Sequence, residues 1–207
     1  MRRAWFALTA LVVLVALVVQ VSSTLATSGG RFPDPGARLV NLFCFFTIQS
    51  NVLVLLTTAV LVFRERPPVF WRVLRLDGVL SIAVTGVVYH LVLAGLYELH
   101  GAALLADVLL HTVSPLLCVA GWLVFGPRGL VTPRIVAWST VYPLAWLAFT
   151  LVRGAVIDYY PYPFVDVATL GYARVALNCA LVAVLFLGLG ALALWLDRLL
   201  TRVREAA

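Results

Sequence analysis

Thr47 and His111 are the residues of this chain whose types suit nucleophilic chemistry. A threonine hydroxyl attacks poorly near neutral pH unless an adjacent base takes its proton, and histidine is the commonest such base. Asp107 precedes His111 at i, i+4 spacing, so on a helix the two share a face. A carboxylate in that place holds the imidazole in one tautomer and balances the imidazolium that forms. Asn51 or Asn178 is expected to donate to a developing oxyanion, a role worth about 2.7–4 kcal/mol in hydrolases. Arg174, at i, i+4 from Asn178, suits the carboxylate of an acidic lipid, and Gln49, Ser50 and His90 complete the expected substrate-binding set. The chemistry these residues suggest is acyl transfer to Thr47 followed by hydrolysis.

Each of these residues also has a structural reading. Threonine in a membrane helix commonly bonds its own i−4 carbonyl. Asp107 can cap a helix, and Arg174 can pair with Asp158, Asp166 or Asp107. Gln49, Ser50 and Asn51 can be interhelical glue, worth about 0.6 kcal/mol each. His90 and His111 can ligate a haem, or with Asp107 a metal. No C-x-x-C pair accompanies them, so neither cofactor nor metal is expected. A small transporter and a non-catalytic binding or structural membrane protein stay open beside the hydrolase.

The elements that must position these groups are membrane helices. Hydrophobic residues make up 63% of the 207 and charged ones 12%, with a mean hydropathy of +1.06. Soluble domains carry roughly twice that charge, about 25%. Six apolar stretches have the length of about 20 residues that spans a bilayer. They run approximately over 4–23, 39–63, 78–97, 104–125, 135–152 and 169–196. Gly29-Gly30 and Pro33-Asp34-Pro35-Gly36, Arg64-Glu65-Arg66-Pro67-Pro68, Glu98-Leu99-His100-Gly101, Gly126-Pro127-Arg128-Gly129 and the Pro161/Pro163 segment separate them. Lipid offers the backbone no hydrogen-bond partner, so every span must be helical. The expected fold is all-α: one polytopic membrane domain over 1–207, a bundle of six transmembrane helices.

All fifteen basic residues are arginine, and the net charge is +6. Their placement reflects topology rather than nucleic-acid binding. Arg2, Arg3, Arg64, Arg66, Arg72, Arg75, Arg128, Arg134, Arg198, Arg202 and Arg204 fall on one side; Arg31, Arg38 and Arg153 fall on the other. The positive-inside rule then places both termini in the cytoplasm. The first apolar run exceeds the 7–15 residues or so of a signal-peptide core, so a retained helix is expected. At about 1.5 Å per residue, Thr47, His111, Arg174 and Asn178 lie roughly 8–14 Å below the outer surface, with His90 at a similar level. The inner half is expected to be nearly pure Leu, Val and Ala. Cys44, Cys118 and Cys179 lie in spans and suit apolar packing.

Three segments carry a resemblance: Phe45-Phe46-Thr47-Ile48-Gln49-Ser50-Asn51, Leu109-Leu110-His111-Thr112-Val113-Ser114-Pro115 and Tyr160-Pro161-Tyr162-Pro163-Phe164. They look like segments of small six-helix membrane proteins related to the animal androgen-induced family. Those animal proteins are intramembrane threonine hydrolases that cleave fatty acid esters of hydroxy fatty acids. The resemblance implies that Thr47 is the catalytic threonine and His111 the catalytic histidine. The polar run after Thr47 and the His-to-Pro spacing look more like a bacterial branch. The expectation is a threonine-type carboxylic ester hydrolase in a bacterial cytoplasmic membrane, acting on membrane lipids or a lipid-like substrate. Its oligomeric state is not legible in the residues.

Overall fold

The computed structural model describes residues 1–206; Ala207 and the side chains of Arg204 and Ala206 lie outside the description. It is all-helical among those residues, with six helices long and apolar enough to span a membrane. The chain forms two compact units, Met1–Pro127 and the segment from Arg128 onward.

The first unit holds four spans. Helix α1 covers Arg2–Ala26 and buries Phe6, Thr9, Val13 and Ala16 completely. It packs against α3 (Phe46–Phe63), α5 (Gly101–Val108) and α6 (Ser114–Phe125). The Trp5 indole N–H donates to the Leu117 carbonyl (3.1 Å), so the first apolar run is part of this core. Helix α2 (Pro35–Phe43) starts where Asp34 accepts from the Ala37 amide at 2.8 Å, with Pro35 in the first turn. Such a cap is worth about 1 kcal/mol. Arg38 reaches from α2 to the Pro33 carbonyl (2.6 Å) and the Thr24 carbonyl (3.2 Å). It therefore staples the 27–34 connection to the end of α1 besides contributing to the charge pattern.

Three span boundaries differ from the sequence expectation, each for a local reason. The stretch 39–63 is not one helix. The amides of Cys44 and Phe45 turn tightly onto the Asn41 and Leu42 carbonyls, and Phe45 is extended (φ −72°, ψ 133°) before α3 begins. The Gln49 side chain takes the Phe43 carbonyl at 2.9 Å and so supports the break. Gln49 is thus spent on backbone; the expected substrate-binding part has no counterpart in this bond.

Helix α4 runs Val69–Val88 and continues as a π turn over Tyr89–Leu93. The span begins well before residue 78, and Arg72 and Arg75 are helical rather than in a loop. The fourth span likewise starts earlier, at Gly101, and passes from α5 through a π turn (Leu109–Val113) into α6. In each turn an amide reaches back five residues, Ala94 to Tyr89 and Ser114 to Leu109. In the second case Pro115 explains the widening, because it has no N–H to offer the His111 carbonyl at i−4.

The second unit holds two spans. The first joins α7 (Pro133–Trp138) to α8 (Val141–Ile157), broken where Pro143 cannot donate to Ser139. The second is α9 (Val167–Ala206), kinked at Gly171 (φ 73°, ψ 161°), a conformation that only glycine adopts readily. Asp197, buried on α9, accepts from the amides of Gly129 (3.1 Å) and Val131 (2.9 Å) and ties that connection down.

The expected apolar half of the bundle is also corrected. Thr57, Thr58, Arg75, Asp77 and Ser81 are all buried there. A run of hydropathy marks an average, and these single polar residues disappear into it.

Candidate active site

Both π turns of the first unit carry a histidine, and they meet. A π turn inserts a residue and redirects the side chains around it, and such turns are frequent at functional sites. His111 projects from the turn between α5 and α6, with Asp107 one turn before it. Its Nδ1 lies 3.0 Å from Asp107 Oδ1, and its Nε2 lies 3.3 Å from the Thr47 hydroxyl. Nδ1–H donates to the carboxylate, so the Nε2 lone pair faces the threonine. This is the order nucleophile, base, carboxylate that activates a hydroxyl.

Tyr89, from the other π turn, completes the carboxylate's environment. Its hydroxyl donates to Asp107 Oδ2, and its ring stacks on the His111 imidazole, centroids 4.1 Å apart and planes 13° apart. Sequence reasoning did not single Tyr89 out for this role. The signal was present in the Tyr89-His90 pair, but a π turn is needed to bring the phenol over His111.

Thr47 is buried and sits in the first turn of α3, just past the extended Phe45. Three other buried threonines of the unit back-bond: Thr9 to the Trp5 carbonyl (2.9 Å), Thr57 to Leu53 (2.7 Å) and Thr58 to Val54 (2.6 Å). The chain break lies just before Thr47, and Gln49 takes the carbonyl at its i−4 position. Its own carbonyl accepts from Asn51 Nδ2 (2.8 Å) and Ser50 Oγ (3.0 Å), which fix the threonine backbone.

The remaining expected site residues divide. Asn51 gives Nδ2 to the carbonyls of both Thr47 and Leu110 (3.2 Å), so both its amide hydrogens are committed and the oxyanion role does not suit it. Ser50 bonds the Thr85 hydroxyl at 3.2 Å in the adjoining helix interface. His90 is exposed, with Nδ1 on the Gly86 carbonyl (2.8 Å) and Nε2 on Thr112 Oγ1 (3.2 Å). Both ring nitrogens of His90 and of His111 lie within hydrogen-bond distance of protein groups. Among the described residues no three His, Cys, Asp or Glu side chains gather as metal ligands.

Arg174 and Asn178 belong to the second unit. Arg174 is exposed on α9, and within that unit Asp166 is instead bonded to Thr169. Asn178 Nδ2 donates to the Phe164 carbonyl at 2.8 Å, holding the Pro163–Val165 turn against α9. The three cysteines are free thiols.

Comparison with models of protein families, with curated proteins and with solved structures gave no match. Any functional reading therefore stands on this geometry and on the three short segments of resemblance.

Proposed function

We propose that this chain is an intramembrane hydrolase of lipid acyl esters, with Thr47 as nucleophile, His111 as base and Asp107 as the group that orients and balances His111. The observation that carries the reading is the unbroken line from the Thr47 hydroxyl through the His111 ring to the Asp107 carboxylate.

The Thr47 hydroxyl oxygen attacks the ester carbonyl carbon while its proton passes to His111 Nε2. The carbon–oxygen bond to the leaving alcohol then breaks, and His111 returns the proton to that oxygen. Water attacks the acyl-threonine by the same route, His111 taking its proton and restoring it to Thr47 as the fatty acid departs. The distance of 3.3 Å shortens as the site closes on substrate. Thr47 lies at the start of α3, so the positive end of that helix dipole favours the negative charge developing at the reacting oxygens.

The topology belongs to the same proposal. The arginine distribution supports cytoplasmic termini in a bacterial cytoplasmic membrane. The Thr47–His111 pair then lies in the outer half, within reach of lipids in the outer leaflet and of water from outside. The resemblance to the androgen-induced family supports a branched fatty-acyl ester as substrate.

The test is hydrolysis of a fatty-acyl ester panel by protein purified in detergent, beside Thr47→Ala and His111→Ala variants that keep the wild-type elution volume. Loss of turnover in both is expected. Turnover that survives both removes them as the catalytic pair, and an inactive wild type across the panel favours a binding or transport role for the same residues.

A further inference from the structure

A second set of polar groups runs from the site into the apolar part of the first unit. Asp77, Ser81, Thr85 and Tyr89 follow one another at i, i+4 spacing and so form a single stripe on α4 and its π turn. The stripe extends about 18 Å along the axis. At its upper end Tyr89 donates to Asp107, and one turn below Thr85 meets Ser50 at 3.2 Å.

At and below that level several buried side-chain oxygens lack a protein partner. Asp77 Oδ1, Ser81 Oγ, Asn51 Oδ1 and Ser114 Oγ each make no hydrogen bond to any protein group, on residues no more than 2% exposed. Their register puts them together. Gly78 packs on the backbone of Leu53 and Val54, so Ser81 lies between that contact and the Ser50–Thr85 bond. Asn51 is held at the Leu110 carbonyl, one turn above Ser114, and Gly86 abuts Pro115. Three helices thus turn oxygen atoms toward one seam. A buried oxygen without a hydrogen bond is costly, so four in one seam point to shared internal water.

Asp77 closes the seam at its deep end. Arg75 does not neutralise it: that guanidinium contacts Cys118 Sγ at 3.4 Å and lies over the Phe6 ring. The other charged or titratable groups on the packed elements are Arg72 on α4, Cys118 on α6, and Tyr89, His90, Asp107 and His111 at the far end; α3 brings none. An ionised carboxylate without a counter-ion in such packing is far costlier than a carboxylic acid.

We propose that Asp77 is an intramembrane proton-binding site and that the seam formed by Ser81, Asn51, Ser114, Thr85 and Ser50 exchanges its proton with the Thr47–His111 site. The acid O–H bond of Asp77 breaks as its proton passes to the adjoining water. An equivalent proton passes from the far end of the water chain to His111 Nε2, giving an imidazolium beside Asp107 and a carboxylate at Asp77, and the reverse transfer restores the acid. This proton path goes beyond the hydrolase reading and does not depend on Thr47 attacking an ester.

The test is infrared spectroscopy of the intact protein in lipid nanodiscs at neutral pH. A carboxylic-acid C=O band is expected, lost in Asp77→Asn and retained in Asp107→Asn; Asp77→Glu, which keeps the acid, should move it. On mixing with D2O the band should shift at least tenfold more slowly in Ser81→Ala than in the wild type. A spectrum without an Asp77-dependent acid band, or with a carboxylate band that responds to sodium, overturns the proton site. Equal exchange rates in Ser81→Ala and wild type overturn the seam as its path. None of these readouts requires ester turnover, so a failure here is distinguishable from a failure of the hydrolase.

Discussion

The imidazole of His111 lies flat on the phenol of Tyr89, and both side chains bond the same carboxylate, one to each oxygen of Asp107. The two rings come from different spans, each in a π turn, so the stacking locks two helices and the tautomer of the base in one arrangement. Tyr89 is therefore a positioning residue for His111.

Replacing Tyr89 by Phe keeps the stacked ring and removes the donor to Asp107. A hydrogen bond to a charged group is worth about 1.5–3 kcal/mol, so an approximately tenfold or larger fall in kcat is expected. KM should be unchanged, since Tyr89 acts on His111 and not on substrate. Steady-state ester kinetics check this, and an equal loss in KM would refute the positioning role.

Thr47→Ser retains a hydroxyl where Thr47→Val retains only the shape. Serine should preserve measurable turnover, and valine should lose about a thousandfold or more, as expected for removing a nucleophile. Trapping the acyl-enzyme on intact protein by mass spectrometry, in the serine variant and the wild type alone, is the decisive readout.

Gly86 permits the close approach of α4 to the second π turn. A Cβ there would stand 3.2 Å from Pro115 Cβ and 3.6 Å from the His111 carbonyl. Gly86→Ala should push α4 away from His111 and destabilise the protein by about 1–3 kcal/mol. Thermal unfolding in detergent would report the loss, together with reduced turnover as Tyr89 leaves the ring of His111.

Gly121 plays the same part for the first span. A Cβ on it would fall 2.5 Å from Trp5 Nε1, which donates to the Leu117 carbonyl. Gly121→Ala should displace the indole and cost about 1–3 kcal/mol in stability. A red shift of tryptophan emission would accompany it; unchanged emission and stability would show that α1 adapts.

Asp197 anchors the connection after Gly126-Pro127 through two backbone amides. Asp197→Ala removes two hydrogen bonds to the carboxylate from the Gly129 and Val131 amides, which water can partly replace, so a loss of about 1–2 kcal/mol in total is expected. Limited proteolysis should then cut between residues 128 and 132, where the wild type resists.

Much of the fold was legible because lipid constrains the backbone so strongly. Apolar runs of bilayer length must be helices, and the proline- and glycine-rich breaks between them are equally plain. The i, i+4 spacing of Asp107 and His111 survives as contact because it depends only on the helix between them. Thr47, sixty-four residues away, is brought beside His111 by packing of α3 against the Leu109–Val113 π turn, which no spacing expresses.

What escaped the sequence reading shares one cause: each feature depends on which neighbour a residue meets. Hydropathy averaged over a window leaves residues 64–77 between spans, yet helix packing buries Arg75 and Asp77. The break at Phe45 is supported by Gln49 reaching a carbonyl, and Asn51 bonds two more, backbone contacts that no spacing announces. The residues alone determined the class, the six spans and the pairing of Asp107 with His111, because these follow from local periodicity and the cost of unsatisfied amides in lipid. Only the tertiary structure decided that Thr47 meets His111, that Tyr89 joins the carboxylate and that buried oxygens line a seam to Asp77. Those outcomes come from long-range packing among α3, α4 and α6, where a turn widened by one residue chooses which side chains meet.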